Sequence, residues 1–141
     1  MASRDGRIDA PVRHWGPDTL LHTLGDEDRT VLLALGARRT FEPGAALIGE
    51  GSTDADIFVL LDGYCKVLGN TMDGRAVLLS IRGHGDLVGE LAALDHKPRS
   101  ASVVALTTVV ARVVTPRAFV GYLRDRPTAA TALQTALLND L

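Results

Sequence analysis

Residues 57–85 read IFVLLDGYCKVLGNTMDGRAVLLSIRGHG, and their punctuation decides the fold class. Short apolar runs alternate with turn residues. Ile57 to Leu61 precedes Asp62-Gly63, Cys65 to Leu68 precedes Asn70, and Val77 to Ile81 precedes Gly83 and Gly85. Asp73-Gly74 is a strong hairpin signal, because these residues accept the positive φ of a tight turn. The texture extends both ways. Upstream, Ala46-Leu47-Ile48 precedes Gly49 and Gly51; downstream come Ser102 to Ala105 and Thr107 to Val114. Strands of about five residues with turns this evenly spaced predict a sandwich or barrel. A parallel sheet would need a helix between successive strands, and there is no room for one.

Both ends of the chain change to helical patterning. Pro17-Asp18 is expected to open a short helix through Leu21. Gly25-Asp26 sets up a second, with Asp26 as N-cap, Val31, Leu32 and Leu35 at helical spacing, and Gly36 as its stop. Towards the C-terminus, Pro116 suits a first helical position, and Phe119, Val120 and Leu123 continue the period. Pro127 is expected to break that helix and Thr128 to cap the next. Thr128 to Leu141 carries Ala130, Leu133, Leu137 and Leu141 on one stripe, with Asp140 as its single charge. That stripe suits core packing or a dimer seam equally. Residues 1–14 mix Arg4, Asp5, Arg7 and Pro11 without a period and read as a flexible leader. The implied organisation is a leader over 1–14, a domain over 15–127 and the start of a C-terminal helix over 128–141.

The 141 residues, 46% hydrophobic, suit one compact domain with a real core. Cys65 is the single cysteine, so no internal disulfide forms. It sits in a strand pattern and reads as a small buried hydrophobe. A net charge of -2 offers no basic surplus for nucleic acid. No run of roughly 18 apolar residues is present to span a membrane, and the N-terminus lacks the apolar centre of a signal peptide. Composition therefore suits a soluble protein of the cytoplasm.

The chemistry gathers between Gly85 and Val103. Gly89 allows close backbone approach, and Glu90 to Leu94 is good helix-forming material. Arg99 offers a planar fork of donors matched to two phosphate oxygens, and Ser100 adds a hydroxyl and a backbone N–H. Glu90 would repel a phosphate. It makes sense facing a sugar hydroxyl, from which a carboxylate accepts hydrogen bonds, or pairing with Arg99 to hold the fork. One acid for a hydroxyl and one arginine for a phosphate together describe a nucleotide. The plainer alternatives are a helix first-turn acid for Glu90 and a structural ion pair for Arg99.

Gly89-Glu90-Leu91 followed by Arg99-Ser100-Ala101 resembles the phosphate-binding cassette of the cyclic nucleotide-binding domain. Phe41-Glu42-Pro43-Gly44, Leu47-Ile48 and Gly51 resemble its opening strands, Ile57 to Gly63 its central hairpin, and Gly85-Asp86 the approach to the cassette. The likeness runs from about Trp15 to the C-terminus and is nearest to the sensor domain of CRP/FNR-type (catabolite activator-like) bacterial transcription regulators. It implies a mainly β fold: an antiparallel jelly-roll barrel, the cupin-like double-stranded β-helix, with flanking N- and C-terminal α-helices. It implies that Glu90 holds a ribose 2′-hydroxyl, while Arg99 and Ser100 hold the cyclic phosphate with help from the backbone around Gly89 and Ala101. Leu91 belongs to the same motif. Serine after the arginine tilts the ligand towards cAMP, with cGMP the other candidate.

Such regulators continue into a long dimerising helix and a helix-turn-helix. This sequence stops at Leu141, near the start of that helix, so DNA would be bound only through a C-terminal domain outside it. A homodimer through Thr128–Leu141 follows from the same likeness. Two other classes compete. One is a jelly-roll module that binds another effector or none and acts in assembly. The other is an enzyme of cupin type, which needs a His/carboxylate metal set that His14, His22, His84 and His96 do not assemble. No catalytic residues, metal ligands or cofactors are expected.

Overall fold

The computed structural model describes residues 15–139; the leader expected over 1–14, and Asp140 and Leu141, lie outside the described residues. Eight strands form two antiparallel four-stranded sheets. The first sheet has the order β1 (Ala37–Phe41), β8 (Val109–Val114), β3 (Ile57–Asp62), β6 (Leu87–Val88). The second has the order β2 (Ala46–Ile48), β7 (Ser102–Ala105), β4 (Tyr64–Asn70), β5 (Ala76–Gly83). Crossings between the sheets make this a jelly-roll. Helices α1 (Leu20–Thr23), α2 (Asp26–Leu33), α4 (Pro116–Asp125) and α5 (Pro127–Asn139) flank it, and α3 (Glu90–Asp95) follows β6.

The unbroken apolar run of β3 has a simple cause. From Ile57 to Leu60 it is buried on both faces, so those side chains must be apolar. Ile57 and Val59 face the helices, in a cluster with Leu21, Leu32, Val114 and Phe119. Phe58 and Leu60 face the interior between the sheets, with Phe41, Ile48, Val103 and Val109. Cys65 joins the second cluster, fully buried, and burial pushes its thiol up to about 11. It behaves as the expected small hydrophobe.

The hairpin at Asp73-Gly74 joins β4 to β5, and its turn is closed by Thr71 N donating to Arg75 O at 2.9 Å. Asp62-Gly63 does something different from opening a hairpin: β3 and β4 lie in different sheets, so the chain crosses between layers there. Six of the eleven exposed large hydrophobics among the described residues, Tyr64, Met72, Val77, Leu78, Leu79 and Ile81, lie on this β4–β5 hairpin, which extends past the covered core.

The helix boundaries correct the sequence reading. Helix α1 begins at Leu20, because Thr19 supplies the cap, its hydroxyl oxygen accepting from His22 N at 3.4 Å. In α2 the cap position is Gly25, and Asp26 lies inside with Glu27 and Asp28, three acids at the end that favours negative charge. The helix ends at Leu33. Gly36 serves the turn into β1, with φ 71 and a would-be Cβ only 2.1 Å from Val113 O. Pro116 does start α4, with Thr115 as its cap. Pro127 is the first residue of α5, and the Thr128 hydroxyl leaves its expected capping role to donate to Asp28.

The buried face of α5 is Ala129, Ala132, Leu133 and Ala136, packed on α1 and α4, while Ala130 and Leu137 are half-buried. Of the expected stripe, Leu133 is buried and Leu137 packs against the core, Ala130 gives way to Ala129, and Leu141 lies outside the described residues. Its core-packing role is met within the chain. No helix among the described residues is long and apolar enough to cross a membrane.

Candidate functional site

The short β6 strand ends at Gly89, where φ is 89. A Cβ there would lie 2.9 Å from both Arg99 Nη1 and Asp56 O, and 3.0 Å from Ile48 Cδ1. Only glycine allows this turn into α3 with Arg99 so close behind it. After α3 the chain passes His96, whose φ is 60, and Pro98, and returns to Arg99 just before β7.

This path encloses a cavity of about 220 Å³. Gly89, Glu90, Leu91, Arg99, Ser100 and Ala101 all line it, so the six residues singled out from the sequence share one site. Sequence reasoning did not find two further cations on the wall, Arg82 of β5 and Lys97. Glu90 is half-buried and begins α3, whereas Ser100 and Leu91 are exposed at the rim.

Arg99 is 5% exposed, and its partners are mostly protein. Its Nε and Nη2 donate to Asp54 Oδ1 at 3.1 and 2.7 Å. Nη2 also donates to Asp56 O at 2.6 Å, and Nη1 to Gly89 O at 2.8 Å. These bonds occupy four of the five guanidinium N–H groups. The fork is thus held by Asp54 and two carbonyls, and the expected two-pronged grip on a phosphate reduces to what remains at Nη1.

Asp54 is itself braced. Ser52 Oγ donates to its Oδ2 at 2.6 Å, and Asp54 N donates back to Ser52 Oγ at 3.2 Å. The Ser52 hydroxyl does most to hold the Asp54 carboxyl below its ordinary value; burial opposes it, and the Arg99 guanidinium adds to the lowering. The backbone adds two straps: Arg99 N donates to Ser52 O at 2.9 Å, and Gly51 N to Arg99 O at 2.8 Å. Asp54 and Ser52 carried no signal in the sequence. They sit in a loop without periodicity, and only the fold brings them to Arg99.

A family model of the cyclic nucleotide-binding domain matches residues 38–126, which contain the whole cavity wall. The chain belongs to the cyclic nucleotide-binding domain family. A relative in this family is the CRP-like cAMP-activated global transcriptional regulator of Mycobacterium tuberculosis (strain ATCC 25618 / H37Rv). It is 31% identical over 101 residues, 72% of this chain and 45% of the relative. The crystal structure of the Thermus thermophilus catabolite activator protein has a TM-score of 0.76 at 25% identity, over 85% of this chain and 56% of that one. The N-terminal domain of a transcriptional regulator from Streptomyces coelicolor A3(2) has a TM-score of 0.68 at 32% identity, over 85% of this chain and 86% of that one. The chain spans about half the length of the curated relatives it matches. Both solved neighbours share the two-sheet jelly-roll with flanking helices.

Proposed function

We propose that this chain is a cAMP sensor module of a CRP/FNR-type transcription regulator working in the cytoplasm. The supporting observation is the buried Arg99, strapped behind a cavity whose wall carries all six cassette residues. In this reading Arg99 Nη1 and Ser100 hold the cyclic phosphate, aided by backbone at Gly89 and Ala101. Glu90 accepts from the ribose 2′-hydroxyl, and Leu91 closes the rim. The protein binds and performs no chemistry on the ligand. Binding favours one arrangement of α4 and α5, and α5 passes that arrangement to a second subunit. DNA belongs to a separate C-terminal domain. Calorimetric titration of the chain with cAMP and cGMP tests the assignment, and no heat from either at high protein concentration would remove it.

One observation favours a second reading. With four of its five donors on protein acceptors, Arg99 also suits a purely structural post. The module would then take another effector, or none, and act in assembly. Nucleotide carried through purification, detected by mass spectrometry, would count against it.

A further inference from the structure

Arg99 and Asp28 are the two buried charged residues among the described positions. Arg99 belongs to the cavity; Asp28 does not. It lies in the first turn of α2 and is 8% exposed. Its carboxylate faces the elbow between α4 and α5. Thr128 Oγ1 donates to Oδ2 at 2.5 Å, and Arg126 Nη1 donates to Oδ1 at 3.0 Å. The backbone oxygen of Asp28 accepts from the buried Tyr122 hydroxyl at 2.7 Å. Arg126 also reaches Glu27, at 3.8 Å. One residue of α2 therefore grips the last turn of α4, the elbow and the first turn of α5.

The other end of α5 reaches the site. Leu133, Ala136 and Leu137 form one side of a small cavity whose opposite side includes Leu87, Glu90 and Arg82, and all three of these also line the larger cavity. Helix α5 is thus pinned by Asp28 at its start and backs the wall of the site through Leu133, Ala136 and Leu137. Charge-assisted bonds at a buried carboxylate are strong.

We propose that Asp28 is a latch on the α4–α5 elbow, holding α5 against the wall that carries Glu90 and so setting the affinity of the cavity. The latched arrangement, in which the cavity is open, is the one to which binding is assigned. Releasing the latch lowers the fraction of binding-competent molecules and weakens binding by that fraction. The linkage is reciprocal: a ligand that prefers this arrangement tightens the latch.

The coupling half of this inference rests on the cAMP reading; the latch half does not. The experiment uses the whole chain as wild type, Asp28→Asn and Thr128→Val. The Thr128 variant keeps side-chain shape at an exposed position, so it folds even if the Asp28 variant does not. Hydrogen exchange is followed over residues 127–139, with β3 and β8 as internal reference, and calorimetry gives cAMP affinity. The latch predicts exchange in α5 about tenfold faster in either variant, with the reference strands unchanged. Coupling predicts cAMP bound roughly three- to tenfold more weakly, and slower α5 exchange in wild type at saturation. Wild-type exchange rates in both variants would overturn the latch. Faster exchange with unchanged affinity would overturn the coupling. Wild type that binds neither cAMP nor cGMP would overturn the site reading instead, and the exchange comparison without ligand would still decide the latch.

Discussion

Arg99 and Asp54 lie 45 positions apart and meet at a single oxygen, with Arg99 Nε and Nη2 both donating to Asp54 Oδ1 at 3.1 and 2.7 Å. The arginine side chain is 3% exposed and the aspartate side chain 54%. The guanidinium is therefore taken out of water, while its anionic partner stays at the surface of the loop. Orientation of the one remaining Nη1 donor depends on this pairing.

Asp54→Ala leaves the guanidinium with two carbonyl partners and no anion. A ligand phosphate would then be met by a fork held only through Asp56 O and Gly89 O. We expect cAMP affinity to fall about tenfold, as for loss of one charge-assisted bond. Titration calorimetry of the variant checks this, and unchanged affinity would mean that Arg99 is positioned by the carbonyls alone.

Arg99→Lys keeps the charge and loses the planar fork. A lysine cannot satisfy Asp54, Asp56 O and Gly89 O together, so it fails almost as badly as alanine. The expected loss for either is about 3 kcal/mol of binding free energy. A lysine variant that binds as wild type would show that charge alone is needed.

Glu90 is tested through the ligand. Wild type should bind cAMP about tenfold more tightly than 2′-deoxy-cAMP, because the carboxylate accepts from the missing hydroxyl. In Glu90→Ala the two ligands should bind equally. Persistence of the preference in that variant would assign the hydroxyl to another group.

Two glycines separate crowding from strain. Gly89 and Gly74 have φ of 89 and 84, but only Gly89 has neighbours within 3.0 Å of a would-be Cβ, and Gly74 has none within 4 Å. Gly74→Ala should cost about 1 kcal/mol from backbone conformation alone. Gly89→Ala should cost more and also displace Arg99. Thermal denaturation compares them, and equal losses would contradict the crowding.

Acid should loosen the fold through two carboxylates. Asp28 is held below its ordinary 3.8 mainly by the Thr128 hydroxyl and then by Arg126; Asp54 is held low mainly by Ser52. A carboxyl lowered in the folded state adds stability at pH above its unfolded value, and loses it as pH falls through the folded value. Stability is therefore expected to be flat near neutrality and to decline below about pH 4. Asp28→Asn should decline less steeply there. Identical acid limbs in urea titrations would show that Asp28 contributes nothing to the acid sensitivity.

The sequence was legible where a single element carried its own signal. The unbroken run of β3, the Asp73-Gly74 turn, the Ser102–Ala105 strand and Pro116 at a helix start all depend on neighbours in the chain. That Gly89, Glu90 and Arg99 line one cavity was legible because they lie close in sequence. What escaped depends on distant partners. Asp54 reaches Arg99 only after the loop folds back, and Asp28 meets Thr128 across 100 positions. The same contact explains the misplaced cap: Thr128 looks like an N-cap until Asp28 takes its hydroxyl. On α5, Leu133 and Leu137 were legible as core-facing, but Ala129, Ala132 and Ala136 were not, because their small side chains signal little.

In the proposed function, the cavity between Gly89 and Ala101 holds a cyclic nucleotide by its phosphate and ribose. Calorimetric titration of wild type and Arg99→Ala with cAMP, alongside cGMP, tests it most directly. Wild type should bind saturably and one to one, more tightly with cAMP, and the variant should lose roughly two orders of magnitude or more in affinity. Absence of heat from both nucleotides, or equal binding to wild type and Arg99→Ala, would contradict it.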